Sequence, residues 1–218
     1  MKTPDADHRV IFSKTFLIVL LFVSILTNIV LIAKLRYPDA FSTIQAALLP
    51  APKVFPSDHV RGNPNAKYTV IEYADFQCPF CSQFHETMST ILKEADVRWV
   101  YRHFPLKNHP LAARAAEASE CAGDQGKFWE YSDALFELKA KMSEETFYRI
   151  AQKLRLDGLA FGICLNTGKY SAAVAAQLED GMKKKISGTP TFFLNGKRFA
   201  GFVPLEDLRK KVGVSTAH

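Results

Sequence analysis

Cys78-Pro79-Phe80-Cys81 is the part of this chain whose residue types and spacing can do chemistry. It follows a short apolar strand-like run, Tyr68 to Ala74, and precedes a helix-like run, Ser82 to Lys93. Two cysteines one helical turn apart can close into a disulfide and reopen, so the pair reads as a redox dithiol. Where the strand ends and the helix begins, Cys78 becomes the helix N-cap. Unpaired backbone N–H groups and the helix dipole favour a thiolate there. The thiolate is the form that attacks a disulfide. Pro79 then takes the first helical position, where its missing N–H costs nothing.

Zinc is the main competing use of a C-x-x-C pair, because two cysteines supply half of a tetrahedral site. A second half would be another close pair of cysteines or histidines. The remaining cysteines, Cys121 and Cys164, are isolated and far apart. No metal is therefore expected.

The elements that carry the dithiol follow an unusual N-terminus. Thr15 to Ala33 carries no charge and few polar side chains, close to the length a helix needs to cross a bilayer. The run exceeds the apolar region of an ordinary signal peptide, and no clear A-x-A cleavage site follows it. A long cleaved signal sequence stands as the alternative. Lys2, Arg9 and Lys14 precede the run, and Lys34 and Arg36 follow it. This bias leans towards a cytoplasmic tail over residues 1–14 and a domain on the extracytoplasmic side. Disulfides persist in that compartment. The formal net charge of +6 is spread along the chain apart from Lys183-Lys184-Lys185. That triplet ends a helical pattern, where cations suit the dipole, and nothing points to nucleic acid.

Residues 34–60 contain Pro38, Pro50, Pro52 and Pro56 and read as a linker, with a possible short helix over Phe41 to Leu49. Residues 61–214 suit one domain with a real core, and 215–218 form a short tail. Gly62-Asn63-Pro64-Asn65-Ala66 is a turn cluster. A first strand is expected over Lys67–Tyr73, the dithiol helix to about Glu94, and a second strand over Val97–His103. A helical block follows over about 109–185, with breaks at 123–126, near Ser143, at Asp157-Gly158 and at Thr167-Gly168. Ser143 with Glu144 to Thr146 reads as a helix start. Asn195-Gly196 between Thr191–Leu194 and Arg198–Phe202 is a hairpin signal. A last helix spans Pro204–Val212. The fold class is α/β, in the order β-α-β, helical block, β-β-α.

That order, with C-x-x-C after the first strand and Gly188-Thr189-Pro190-Thr191 before the hairpin, resembles the thioredoxin fold. The large helical insertion resembles that of the DsbA-like thiol–disulfide oxidoreductases. Gly62 to Ala66, Asp75 to Cys81, Gly126-Lys127-Phe128-Trp129 and Gly188 to Gly196 are similar to the membrane-anchored or secreted branch of that family. The resemblance implies that Cys78 is the nucleophile and Cys81 the resolving thiol. It implies that Pro190 is a cis-proline facing the dithiol, with Thr189 touching the substrate chain. A cis X-Pro bond presents neighbouring backbone for strand-like pairing with an extended peptide.

Glu72 interrupts an apolar strand. A carboxylate there is costly to bury unless paired or protonated. The family has an acid at this position, which implies a buried acid exchanging protons with Cys81. A half-exposed residue in a salt bridge is the plainer alternative. Phe80 departs from the family, where many oxidants have His. Phe can neither donate a hydrogen bond nor place positive charge near Cys78, so a milder oxidant is expected. His85 reads as a surface or packed histidine. His103 and His109 lie near the end of the second strand, and spacing alone does not put them in the site. Cys121 and Cys164 are either inert buried thiols or, in an oxidising compartment and as in some relatives, a structural disulfide.

The resemblance implies an enzyme with no cofactor beyond its own redox-active disulfide. It would introduce disulfides into exported polypeptides with free thiols and be reoxidised by a membrane quinone-linked oxidase of the DsbB or VKOR type. An isomerase or reductase of the same fold and a non-enzymatic peptide-binding holdase are the alternatives.

Overall fold

The computed structural model describes residues 14–37, 40, 49–138 and 141–214. It divides into two compact units, 1–49 and 50–218. In the first, α1 (Lys14–Arg36) is a helix with exposed apolar side chains along its length. Its stretch Phe16–Arg36 has a mean hydropathy of 2.9, long and apolar enough to cross a membrane. The tail 1–13, the residues 215–218 and almost all of the helix expected over Phe41–Leu49 lie outside the described residues.

The second unit is built on one mixed sheet in the order β1-β3-β2-β4-β5. Its strands are β1 (His59–Gly62), β2 (Tyr68–Ala74), β3 (Val97–His103), β4 (Thr191–Leu194) and β5 (Lys197–Ala200). β2 and β3 run parallel, joined across α2 (Pro79–Glu94), and β4 lies antiparallel on the other side of β2. Both faces of β2 are covered, which is why its apolar run does not alternate with polar residues. Val70 packs with Phe84, Met88 and Ile91 of α2 on one face. Ile71 and Tyr73 pack with Phe104, Ile186 and Phe193 on the other.

β1 is a correction to the reading of 34–60 as linker. His59 and Val60 pair with Tyr101 and Val100, so the sheet starts inside that segment. Four residues carry too little periodicity to announce an edge strand. The segment before it is also fixed. Arg102, buried on β3, donates to both carboxylate oxygens of Asp58 at 3.0 and 2.8 Å and to the Lys53 carbonyl at 2.6 Å. β5 starts one residue earlier and ends two earlier than the sequence suggests. Asn195 and Gly196 both adopt positive φ, 45° and 85°, the backbone of a two-residue hairpin turn.

Between β3 and β4 come α3 (Ala112–Gly123), α4 (Phe128–Glu137), α5 (Glu144–Lys153), α6 (Gly158–Asn166) and α7 (Ser171–Lys183); α8 (Leu205–Lys211) ends the fold. Ser143 caps α5: its Oγ accepts from Thr146 N, and Thr146 Oγ1 accepts from Ser143 N. Asp157 caps α6 through the N–H groups of Leu159 and Ala160. Each such cap stabilises by about 1 kcal/mol. α7 lies close on the sheet at Gly181, where a Cβ would stand 2.5 Å from the Phe104 ring. At the end of α7, Lys183 pairs with Glu179 and Lys184 with Asp180. A disulfide joins Cys121 of α3 to Cys164 of α6.

Candidate active site

Three elements converge on the dithiol. β2 ends at Ala74, and Asp75 turns the chain. Its Oδ1 accepts from Gln77 N at 2.7 Å. Its Oδ2 accepts from Leu106 N at 2.7 Å and pairs with His109 Nδ1 at 2.8 Å. The Asp75 carbonyl accepts from Cys78 N at 3.0 Å. Cys78 is thereby the N-cap of α2, in extended backbone, with Pro79 opening the helix. The N–H groups of Cys81 and Ser82 both point back to the Cys78 carbonyl, at 3.1 and 3.2 Å. Phe80 is exposed at the mouth of the site.

The third element is the turn into β4. The Thr189–Pro190 bond is cis, and Cys78 Sγ lies 3.2 Å from the Thr189 carbonyl, to which only the protonated thiol can donate. Pro190 O accepts from Gly201 N at 2.7 Å, which ties the turn to the hairpin. Cys78 and Cys81 are free thiols, while Cys121 and Cys164 are bonded.

The two thiols are electrostatically unlike. Cys78 is brought down to about 6. The Cys81 thiol donating to its sulfur does most of this, helped by the Thr189 hydroxyl and the N–H groups of Cys81 and Phe80, against the effect of burial. That hydroxyl is buried and makes no hydrogen bond of ordinary geometry, so the Cys81 thiol is the stronger influence. Cys81 is pushed well above the usual thiol range by burial, by its hydrogen bond to Cys78 and by the charge of Glu72. At neutral pH Cys78 is a thiolate and Cys81 a thiol, the division of labour a nucleophile and a resolving cysteine need.

Glu72 is fully buried, not half-exposed. Burial pushes its pKa up to about 8, and the Cys78 charge adds to this; a hydrogen bond from Trp99 Nε1 to Oε2 at 2.9 Å opposes it. It is a carboxylic acid over most of the physiological range, electrostatically coupled to both cysteines. Glu72 Oε1 has no hydrogen-bond partner.

His85 is packed, against Trp99 and Phe136, with Nε2 2.7 Å from Asp133 Oδ1. Trp99, Tyr101 and Asp75 are site residues that the sequence reading passed over. The available signal was the alternation of Trp99, Tyr101 and His103 along a strand parallel to the one bearing Glu72. Among the described residues, no three His, Cys, Asp or Glu side chains form a group that could hold a metal ion.

Residues 55–213 match the thioredoxin family. This chain is a DsbA-like member of the thioredoxin family. The DsbA-like domain resembles a thioredoxin-like oxidoreductase from Silicibacter pomeroyi at 29% identity, with a TM-score of 0.64 over 73% of this chain and 92% of that one. It also resembles α-DsbA1 from Wolbachia pipientis at 25% identity, again with a TM-score of 0.64, over 76% of this chain and 92% of that one. A curated relative, the Na(+)/H(+) antiporter NhaA 1 of Salinispora arenicola, is 40% identical over 157 residues. Those residues are 71% of this chain and 24% of the antiporter, so the chain spans about a quarter of the curated relatives it matches.

Proposed function

We propose that the protein is a membrane-anchored, extracytoplasmic thiol–disulfide oxidoreductase that introduces disulfides into exported polypeptides. The observation that carries this reading is the placement of Cys78 at the N-terminus of α2, 3.2 Å from the Thr189 carbonyl of the cis-proline turn, with Cys81 and Glu72 buried behind it; the lowered Cys78 and raised Cys81 agree with it. A thiolate exists only in the reduced enzyme, so stabilising it favours reduction of the enzyme and oxidation of the client. The Cys78 thiol is lowered in the direction that oxidants of this fold require. Phe80 in place of a hydrogen-bonding histidine points to a milder oxidant than one with a C-P-H-C site.

The exchange balances as follows. A client thiolate attacks Cys78 Sγ, the Cys78–Cys81 bond breaks, and its electron pair leaves on Cys81, which takes a proton from Glu72. A second client thiolate attacks the client sulfur of the mixed disulfide and releases Cys78 as thiolate. The client loses two electrons and the dithiol gains them. Thr189 and Pro190 present backbone beside Cys78, where an extended client segment can pair strand-to-strand. A membrane quinone-linked reoxidase of the DsbB or VKOR type returns the dithiol to the disulfide, and no cofactor other than the dithiol takes part. α1 supports placement at the membrane as an anchor, and its retention or cleavage is read from the mass of the mature protein.

The test is the reduction potential of Cys78–Cys81, equilibrated against glutathione. A value of about −120 to −180 mV supports the oxidase. A value near thioredoxin's, about −270 mV, refutes it in favour of a reductase. Cys78→Ser abolishes exchange in an enzyme and leaves aggregation suppression intact in a holdase.

A further inference from the structure

Glu72 and Cys81 are shut off from solvent, yet reduction of the enzyme consumes a proton in this pocket and reoxidation releases one. The sheet register supplies a line out. β2 and β3 are parallel, with Glu72 opposite Tyr101 and Ala74 opposite His103. Side chains alternate along a strand, so Trp99, Tyr101 and His103 follow one another on the face that carries Glu72. Trp99 occupies one oxygen of Glu72.

Three buried strand atoms on this face make no hydrogen bond: Glu72 Oε1, the Tyr101 hydroxyl and His103 Nδ1; His85 Nδ1, on α2 against Trp99, is a fourth, on a ring whose other nitrogen pairs with Asp133. Buried polar atoms are ordinarily paired, so three orphans in sequence on one sheet face call for a physical reason. From His103 outward the line is hydrogen-bonded. The Tyr101 and His103 rings meet edge to face with centroids 5.3 Å apart. His103 Nε2 is 2.9 Å from Glu120 Oε1, and Glu120 Oε2 is 2.8 Å from His59 Nε2. The His59 side chain is 24% exposed and stacked on Phe128.

We propose that Tyr101, His103, Glu120 and His59 are the proton path between Glu72 and solvent. The inference rests on the thiol–disulfide exchange proposed above. When Cys81 leaves as a thiolate it takes the Glu72 proton, and the carboxylate is refilled from His59 through Glu120, His103 and Tyr101. Reoxidation runs the path backwards. Tyr101 relays by donating one proton as it accepts another, because burial and the surrounding acids forbid its ionisation. The three orphaned atoms exchange protons only across a bridging water at each gap, a requirement that the rate of proton transfer tests directly.

The other titratable groups facing Tyr101 are Cys78, Cys81 and Asp75. Asp75 with His109, whose side chain is 19% exposed, is a rival exit. Both Asp75 oxygens already accept hydrogen bonds, and no orphaned atom leads to them.

The test uses the full chain in detergent, reduced at Cys78 and Cys81 and mixed with dithionitrobenzoate. Cys78 thiolate releases the first thionitrobenzoate. Cys81 must lose its proton to release the second, so only that phase reads the path. Tyr101→Phe and His59→Gln are expected to slow the second phase about tenfold or more, the low end of general acid–base effects falling near a hundredfold. The first phase and the reduction potential stay unchanged. His109→Gln, on the rival exit, slows the second phase less than either path variant. Tyr101→Phe removes an orphaned oxygen and should not lower the melting temperature, which separates relay from support. An unchanged second phase in both path variants, or equal slowing by His109→Gln, overturns the path. A wild-type chain that releases no thionitrobenzoate overturns the exchange reading itself.

Discussion

Replacing Cys81 by Ala removes the group that does most to hold the Cys78 thiolate. Cys78 stands at about 6 against an ordinary 9.0, a gap worth about 4 kcal/mol at about 1.4 kcal/mol per pH unit. That figure is a ceiling, because solvent at the mouth of the site screens the charge. The stabilisation is shared among the Cys81 thiol, the Thr189 hydroxyl and two backbone N–H groups, and burial opposes all of them. Losing the largest share is expected to raise the Cys78 pKa by at least about one pH unit. Its thiolate fraction at pH 7 then falls from about nine-tenths to about one-half or less. The ultraviolet absorbance of the thiolate, titrated in Cys81→Ala and in the reduced wild type, reads both midpoints. A midpoint that stays at about 6 in Cys81→Ala refutes the reasoning and assigns the thiolate to Thr189 and the helix N-terminal N–H groups. The same thiolate sets the pH dependence of the wild-type potential. Below pH 6 two protons accompany two electrons, about 59 mV per pH unit; above it one does, about 30 mV. At pH 7, ionisation at about 6 rather than 9.0 contributes at most about 1.4 kcal/mol, or about 30 mV, to oxidising power.

Glu72 binds its proton more tightly in the folded chain, at about 8, than at its ordinary 4.5, so its contribution to stability is lost as pH rises between those values. Glu72→Gln should therefore stabilise the reduced protein by up to about 3 kcal/mol at pH 7 and by less than 1 kcal/mol at pH 5; urea midpoints with equal differences at both pH values refute this. The Cys121–Cys164 bridge closes a separation of 43 residues, so Cys121→Ala with Cys164→Ala should cost about 4 kcal/mol in chemical denaturation without changing either thionitrobenzoate phase. Arg102→Ala leaves Asp58 uncompensated against the sheet, where their side chains are 3% and 5% exposed. It should cost about 3–5 kcal/mol and open the chain to trypsin at Lys53, and an unchanged digest argues against the clamp.

The sequence by itself determined the elements whose signals are local. Cys78, Pro79 and Cys81 announce an N-capped redox helix because strand end, proline and one-turn spacing sit within a few residues. Asn195-Gly196 and Ser143 act likewise: a turn or cap is fixed by the backbone preferences of the residues that make it. Glu72 stood out as an acid in an apolar strand, but its depth did not, since burial depends on what covers both faces of the sheet. Only the tertiary structure decided that Trp99 takes one oxygen of Glu72 and leaves the other free. It alone set Tyr101 opposite Glu72, a register between strands separated by a whole helix. It alone made His59 and Val60 an edge strand, because four residues pair only when β3 is there to receive them. The cysteines were legible as a dithiol. Their unequal protonation arises from one thiol lying at a helix terminus beside Thr189 and the other lying behind it next to a buried acid, a difference of position that no spacing along the chain encodes.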